Sequence, residues 1–122
     1  MSTNFWDPDK KRARREKKKV IESYKRMVEL NDAQAMFNLG ACYDEGDGVT
    51  QDKSKAIQLY QQASDLGNAH ATFNLAVCYL KGDGVAQDKS KAIQLLQQAS
   101  DLGDARAMAS LSMFDDEGDG VS

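Results

Sequence analysis

The feature that most constrains this chain is a repeat of 36 residues. Ala33–Asn68 reads AQAMFNLGACYDEGDGVTQDKSKAIQLYQQASDLGN and Ala69–Asp104 reads AHATFNLAVCYLKGDGVAQDKSKAIQLLQQASDLGD. The two agree at 27 of 36 positions, which duplication explains and chance does not. The period runs on in both directions. Ala105–Ser122 is the first half of a third unit, and Lys17–Asp32 is in register with Lys53–Asn68. Sequences with this kind of period build arrays in which each unit buries its apolar surface against its neighbours.

Each unit reads as two helices. Ala35, Phe37, Leu39, Cys42 and Tyr43 place apolar side chains at helical spacing, which predicts a first helix over about Ala33–Tyr43. Gly46-Asp47-Gly48 stops it, because glycine tolerates the positive φ of a helix C-terminus. Asp52 is an N-cap for a second helix whose buried stripe is Ala56, Ile57, Leu59, Tyr60, Ala63 and Leu66, and Gly67 ends it. The same signals return at Gly82, Gly84, Asp88 and Gly103. Ala33, Ala35, Ala56 and Ala63 are small enough for neighbouring helices to approach closely. The only proline is Pro8, so none interrupts a helix after it.

The spaced set Ala33, Ala35, Leu39, Gly40, Tyr43, Gly46, Gly48, Val49, Asp52, Lys55, Ala56 and Gly67 resembles the Sel1-like repeat, a relative of the tetratricopeptide repeat. The second copy departs from the pattern at Ala76, where glycine is expected. The resemblance implies an all-α fold: a right-handed α/α solenoid (superhelix) of about six antiparallel helices. It also implies a non-catalytic adaptor or scaffold, since members mostly serve in protein complexes. The organisation follows as 1–32, a basic N-terminal capping helix equivalent to the second half of a unit; 33–68 and 69–104, two full units; and 105–122, a half unit with a C-terminal helix. Together they form one structural domain.

Charge is unevenly spread. Residues 1–32 carry +4 and residues 33–122 carry −7, against −3 for the whole. Asp7-Pro8-Asp9 reads as a helix start, so a long first helix runs from about residue 8 to Leu30. Its leading half holds Lys10, Lys11, Arg12, Arg14, Arg15, Lys17, Lys18 and Lys19. Three readings stand for this basic stretch: a solvated cap on the end of the stack, a nuclear-import or anionic-partner patch, and direct nucleic-acid binding. The last is the weakest, because Phe5 and Trp6 are the only aromatics nearby. No apolar h-region opens the chain and no apolar run nears the roughly 20 residues of a membrane span. A cytoplasmic protein, or a nuclear one through the basic stretch, is the expectation, with no membrane partner.

At the other end the half unit has drifted. Asp115 replaces the motif tyrosine, Ser112 the glycine and Ala109 the phenylalanine. Met108, Leu111, Met113 and Phe114 still need cover, so end-to-end self-association through this half unit is an expectation.

Reactive groups are sparse. Cys42 and Cys78 are equivalent residues one unit apart. Neighbouring parallel helices put such atoms about 9–10 Å apart, too far for a disulfide, so both read as small core residues. His70 is the only histidine, and with two unclustered cysteines it makes no zinc site; no metal and no cofactor are expected. Asp115-Asp116-Glu117-Gly118-Asp119-Gly120 looks like the opening of a calcium loop, but the chain stops at Ser122, short of a twelfth-place glutamate. No nucleophile, base and orienting acid come together. Some disulfide-rich members of the resembled family are β-lactamase-like hydrolases, and this chain lacks their paired cysteines.

In two-helix solenoids the first helices line the concave face, which holds peptides or helices of a protein partner. Gln34, Asn38 and Ala41 of the first unit, His70, Asn74 and Val77 of the second, and Arg106, Ser110 and Met113 of the third are the groove residues this predicts. Positions where the copies differ, Met36/Thr72, Asp44/Leu80 and Glu45/Lys81, are expected to tune that surface, the acidic and basic pairs as a charge gradient along its rim.

Overall fold

Asp7 accepts a hydrogen bond from the Asp9 N–H at 2.9 Å, Pro8 follows at the first helical position, and the first helix begins there. The computed structural model describes residues 7–117, with side chains through residue 114, and these form six helices: α1 (Pro8–Glu29), α2 (Ala33–Glu45), α3 (Lys53–Asp65), α4 (Ala69–Lys81), α5 (Lys89–Asp101) and α6 (Ala105–Glu117). Each packs chiefly on its sequence neighbours: α2 with α3 and α4 with α5 inside a unit, α1 with α2, α3 with α4 and α5 with α6 between units. The result is the right-handed α/α superhelix that the family resemblance implies.

Capping explains the boundaries. Asp52 and Asp88 accept from the N–H of Lys55 and Lys91, as read from the sequence. Asp32, Asn68 and Asp104 cap the first helices in the same way, on Ala35, Ala71 and Ala107. Each such bond satisfies an N–H that the helix itself leaves without a partner. The first helices run two residues past Tyr43 and Tyr79, to Gly46 and Gly82 in the left-handed region at φ 71°.

Alanine lines the seams. Ala35, Ala56, Ala63, Ala71, Ala92, Ala99 and Ala107 are at most 1% exposed, and Leu75 is fully buried at the centre of the stack. Ala33 departs from expectation. It is only half-buried, because it sits in the first turn beside the cap rather than in the seam.

A clasp repeats between units. Lys17 Nζ meets Asp47 at 3.1 Å, and one unit later Lys53 Nζ meets Asp83 at 3.1 Å. The lysine stems lie against the glycines beside those aspartates, so that a Cβ on Gly48 would stand 2.5 Å from Lys17 Cγ, and one on Gly84 3.1 Å from Lys53 Cβ. Both glycines have φ near +80°, where a side chain is strained in any case. Lys53 also binds Asp44 of its own unit, so one ammonium ties α2, α3 and the turn after α4. These groups are partly exposed, and the clasp contributes positioning more than stability.

The two units are not interchangeable inside. In the first, Gly40 faces Tyr60, whose hydroxyl donates to Asp44 at 3.2 Å. In the second the corresponding residues are Ala76, Leu96 and Leu80. The departure from the glycine pattern at Ala76 therefore goes with the loss of the tyrosine ring that glycine accommodates.

Candidate functional site

The first helices α2, α4 and α6 turn the same residue positions outward. Gln34 and His70 are exposed, Asn38, Ala41, Asn74, Val77 and Ser110 half-buried, Arg106 and Met113 exposed. This is a row of partly accessible side chains three units long. Several of them already hold each other. Gln34 Nε2 donates to Asn38 Oδ1 at 3.1 Å and Asn68 Nδ2 to Gln34 Oε1 at 3.4 Å. Asn74 lies near the buried Tyr60 hydroxyl, whose pKa is pushed far up by burial.

Phe37, expected only in the helical stripe, and its repeat equivalent Phe73 join this surface. Phe37 and His70 have ring centroids 5.8 Å apart, and Arg106 lies over Phe73 at 4.3 Å. Both are the same contact, made from one first helix to the next. Arg106 is further pinned by Asp104, at 2.7 Å through Nη2 and 3.2 Å through Nε, and Nη2 also stands 3.0 Å from His70 Nδ1. The fifth position of each unit, phenylalanine in both full copies, was the signal available for these residues.

Asp104 is the most tightly held group here. Its side chain is 3% exposed, and the Arg106 guanidinium draws its carboxyl below the ordinary value near 3.8, with the Ala107 and Arg106 N–H groups assisting against burial. A depressed folded pKa means that folding favours the carboxylate. The stabilisation is therefore present above about pH 4 and is lost as pH falls through the folded pKa. Urea denaturation of wild type and Asp104→Asn between pH 7 and pH 2.5 is expected to show an advantage for wild type of about 1 kcal/mol at neutral pH. That advantage disappears at the acid end.

Between α2 and α4 lies an open cleft of about 560 Å³, lined in part by Glu45, Phe73, Asn74, Val77, Lys81 and Asp83. It corrects the reading of the variable positions. Met36 and Thr72 are buried, at 4% and 0% exposure, and Thr72 shares a 2.7 Å hydrogen bond with Ser64; they tune packing, not the surface. Asp44 is taken up by Lys53 and Tyr60. Of the rim pairs only Glu45 and Lys81 remain exposed as a charge difference.

Along α1, residues 8–20 are all exposed and Ile21 is the only buried side chain. Lys10, Lys11, Arg12, Arg14, Arg15, Lys18 and Lys19 thus form an accessible basic surface, while Lys17 is clasped to Asp47. Cys42 is half-buried and Cys78 buried; neither is in a disulfide, and burial pushes the Cys78 thiol up to about 11, far from a reactive thiolate. Among the described residues no group of three His, Cys, Asp or Glu side chains is placed to hold a metal ion, and no helix is long and apolar enough to cross a membrane. The acidic stretch Asp115–Gly120, read as the opening of a calcium loop, lies outside the described side chains.

Comparison with known proteins agrees with this architecture. The model of the Sel1 repeat matches residues 33–68 and 69–104. Among solved structures, a Sel1 repeat protein from Oxalobacter formigenes is 32% identical with a TM-score of 0.82, over 87% of this chain and 43% of that one. The protective antigen c5321 of uropathogenic Escherichia coli, described as displaying an SLR fold, is 29% identical with a TM-score of 0.79, over 83% of this chain and 22% of that one. Cysteine rich protein B of Helicobacter pylori is 27% identical with a TM-score of 0.72, over 75% of this chain and 68% of that one. The chain therefore spans less than half the length of the first two. A search of curated proteins finds no match. With two adjacent units matched in full and most of the helix stack superposing on solved relatives, the chain belongs to the Sel1-repeat family.

Proposed function

We propose that this chain is a non-catalytic protein-interaction module that holds a segment of a partner protein along the face formed by α2, α4 and α6. The observation that carries the reading is the row of accessible side chains repeated over three first helices. Amides at Asn38 and Asn74 can bond a partner backbone, and Ala41, Val77 and Met113 form a parallel apolar lane. Phe37 and Phe73, braced by His70 and Arg106, give the floor rigid aromatic area. General use of Sel1 repeats in protein interaction supports the same reading.

The basic surface of α1 offers a second attachment point for anionic partners, and one experiment separates the two. Wild type, Asn38→Ala/Asn74→Ala, and a variant with the basic residues of positions 10–19 replaced by alanine are used to capture partners from lysate. A captured protein is then purified and titrated against each by calorimetry. The groove reading expects the amide variant to lose at least tenfold in affinity and the neutralised variant to bind as wild type. The reverse pattern, with steep salt dependence, would move the site to α1.

A further inference from the structure

A single exposed leucine calls for no explanation, but a periodic row of them does. Leu30, Leu66 and Leu102 hold the same place at the C-terminal ends of α1, α3 and α5, and are 81%, 53% and 45% exposed. Leu66 lies inside the stack, on a helix packed against α2 and α4, so the row is open where neighbours are present on both sides. The turns beside the leucines are open as well. A Cβ on Gly67 or Gly103 would meet nothing within 4 Å.

The leucine outlasts its neighbours without a packing role. Of the 16 positions Lys17–Asp32, five keep the residue found at Lys53–Asn68. Among these, Ile21 is buried, Tyr24 half-buried, and Lys17 clasps Asp47. Leu30 is kept with most of its surface in water.

Each leucine also follows an exposed carboxylate: Glu29, Asp65 and Asp101. A helix ends in carbonyls that carry partial negative charge, which basic residues normally offset. The last turns of α3 and α5 hold no basic residue and end on Asp65 and Asp101 instead. Asp65 accepts from Gln61 at 2.9 Å, which orients the carboxylate and leaves its charge in place. Among the described residues no ion pair engages Glu29, Asp65 or Asp101. Acid at these helix ends works against helix stability, and a cation from outside would relieve it.

We propose that this edge of the stack is a second protein-binding surface, and that it takes a partner segment in which aliphatic side chains are flanked by lysine or arginine. The aliphatic groups cover the leucines while the cations meet the carboxylates and the helix ends. Charge selects this occupant. A second copy offering the same edge would set carboxylate against carboxylate, and anionic headgroups of a membrane would be repelled as the leucines approached them. The edge is distinct from the face of α2, α4 and α6 and does not rest on that reading.

The test is fluorescence anisotropy of labelled synthetic peptides titrated with the full chain at physiological ionic strength. One peptide repeats Lys-Leu-Lys-Gly; its controls carry glutamate for lysine or serine for leucine. The chain variants are Leu66→Ser/Leu102→Ser, which keeps the net charge, and Asp65→Asn/Asp101→Asn. All four positions are exposed, and circular dichroism checks that both variants are folded. Wild type is expected to bind the lysine–leucine peptide and neither control, and each variant to bind it about tenfold more weakly. Asn38→Ala/Asn74→Ala should bind it as wild type does. Equal binding by wild type and the Leu66→Ser/Leu102→Ser variant would overturn the proposal, since that is general attraction of a basic peptide to an acidic body. So would binding of either control peptide, loss of the peptide in Asn38→Ala/Asn74→Ala, or no binding by wild type into the millimolar range. Leucine-dependent sedimentation with phosphatidylserine vesicles, or leucine-dependent dimerisation, would overturn it in favour of a membrane or a second copy.

Discussion

Replacing Leu75 by alanine is expected to remove about 3 kcal/mol of stability, more than any other truncation of equal size in the chain. Leu75 is 0% exposed and sits in the middle first helix, with units on both sides. The lost transfer free energy of three buried carbons adds to the cavity they leave, which neighbours such as Leu39 and Leu95 cannot fill without disturbing their own seams. For a domain of this length whose total stability is of order 10 kcal/mol, the melting temperature falls by roughly 10 °C. The equivalent truncations supply the comparison. Leu39 is 4% exposed and Leu111 only half-buried, so Leu39→Ala should cost slightly less and Leu111→Ala about 1 kcal/mol. Thermal and urea denaturation of the three variants reads the order. Equal losses at Leu75 and Leu111 would contradict the burial pattern.

Gly40→Ala is the second large effect, and it runs against helix propensity. Alanine is the better helix former by about 1 kcal/mol. Here its Cβ would stand 2.9 Å from Tyr60 Cε1 and 3.0 Å from Cδ1, with Leu59 Cβ at 3.3 Å on the other side. Tyr60 cannot swing away, since it is 1% exposed and its hydroxyl donates to Asp44. Phe37 packs beside it with ring centroids 5.9 Å apart. Overpacking therefore outweighs propensity, and a net loss of about 2 kcal/mol is expected. The second unit names the cure. Gly40→Ala/Asp44→Leu/Tyr60→Leu transplants Ala76, Leu80 and Leu96 into the first and should recover most of the loss. The single and triple variants then differ by a coupling of more than 1 kcal/mol, well above the scatter of independent sites. A Gly40→Ala variant as stable as wild type would mean that the helices part without cost.

Much of this was legible before any coordinates. The period, the glycine stops, Pro8 and the aspartate caps at Asp52 and Asp88 are local chemistry, and they placed every helix within two residues. Caps at Asp32, Asn68 and Asp104 were equally local but fell at the seam where the units had been divided. What the sequence could not reveal was pairing across units. That Met36 and Thr72 face the interior, that Arg106 is spent on Asp104 and Phe73, and that Lys17 belongs to a clasp all depend on which helix faces which. Residue type alone does not distinguish a buried polar pair such as Ser64 and Thr72 from two surface hydroxyls. The outward residues of α2, α4 and α6 stand between these cases: helical spacing gives their common face, while hydrogen bonds such as Gln34 to Asn38 needed the fold.

The unlike interiors of the two units have a further consequence, for how the chain finds its fold. With 27 of 36 positions shared, α3 and α5 present nearly the same surface to α2 and α4. A newly made chain could therefore pair helices across the wrong units, as repeat proteins are prone to do. Tyr60 against Ala76 would clash, and Leu96 against Gly40 would leave a void and deprive Asp44 of the tyrosine hydroxyl. A single ring and the hydrogen atom that makes room for it thus act as a proofreading step, letting near-duplicate segments distinguish their own mates from their neighbours'.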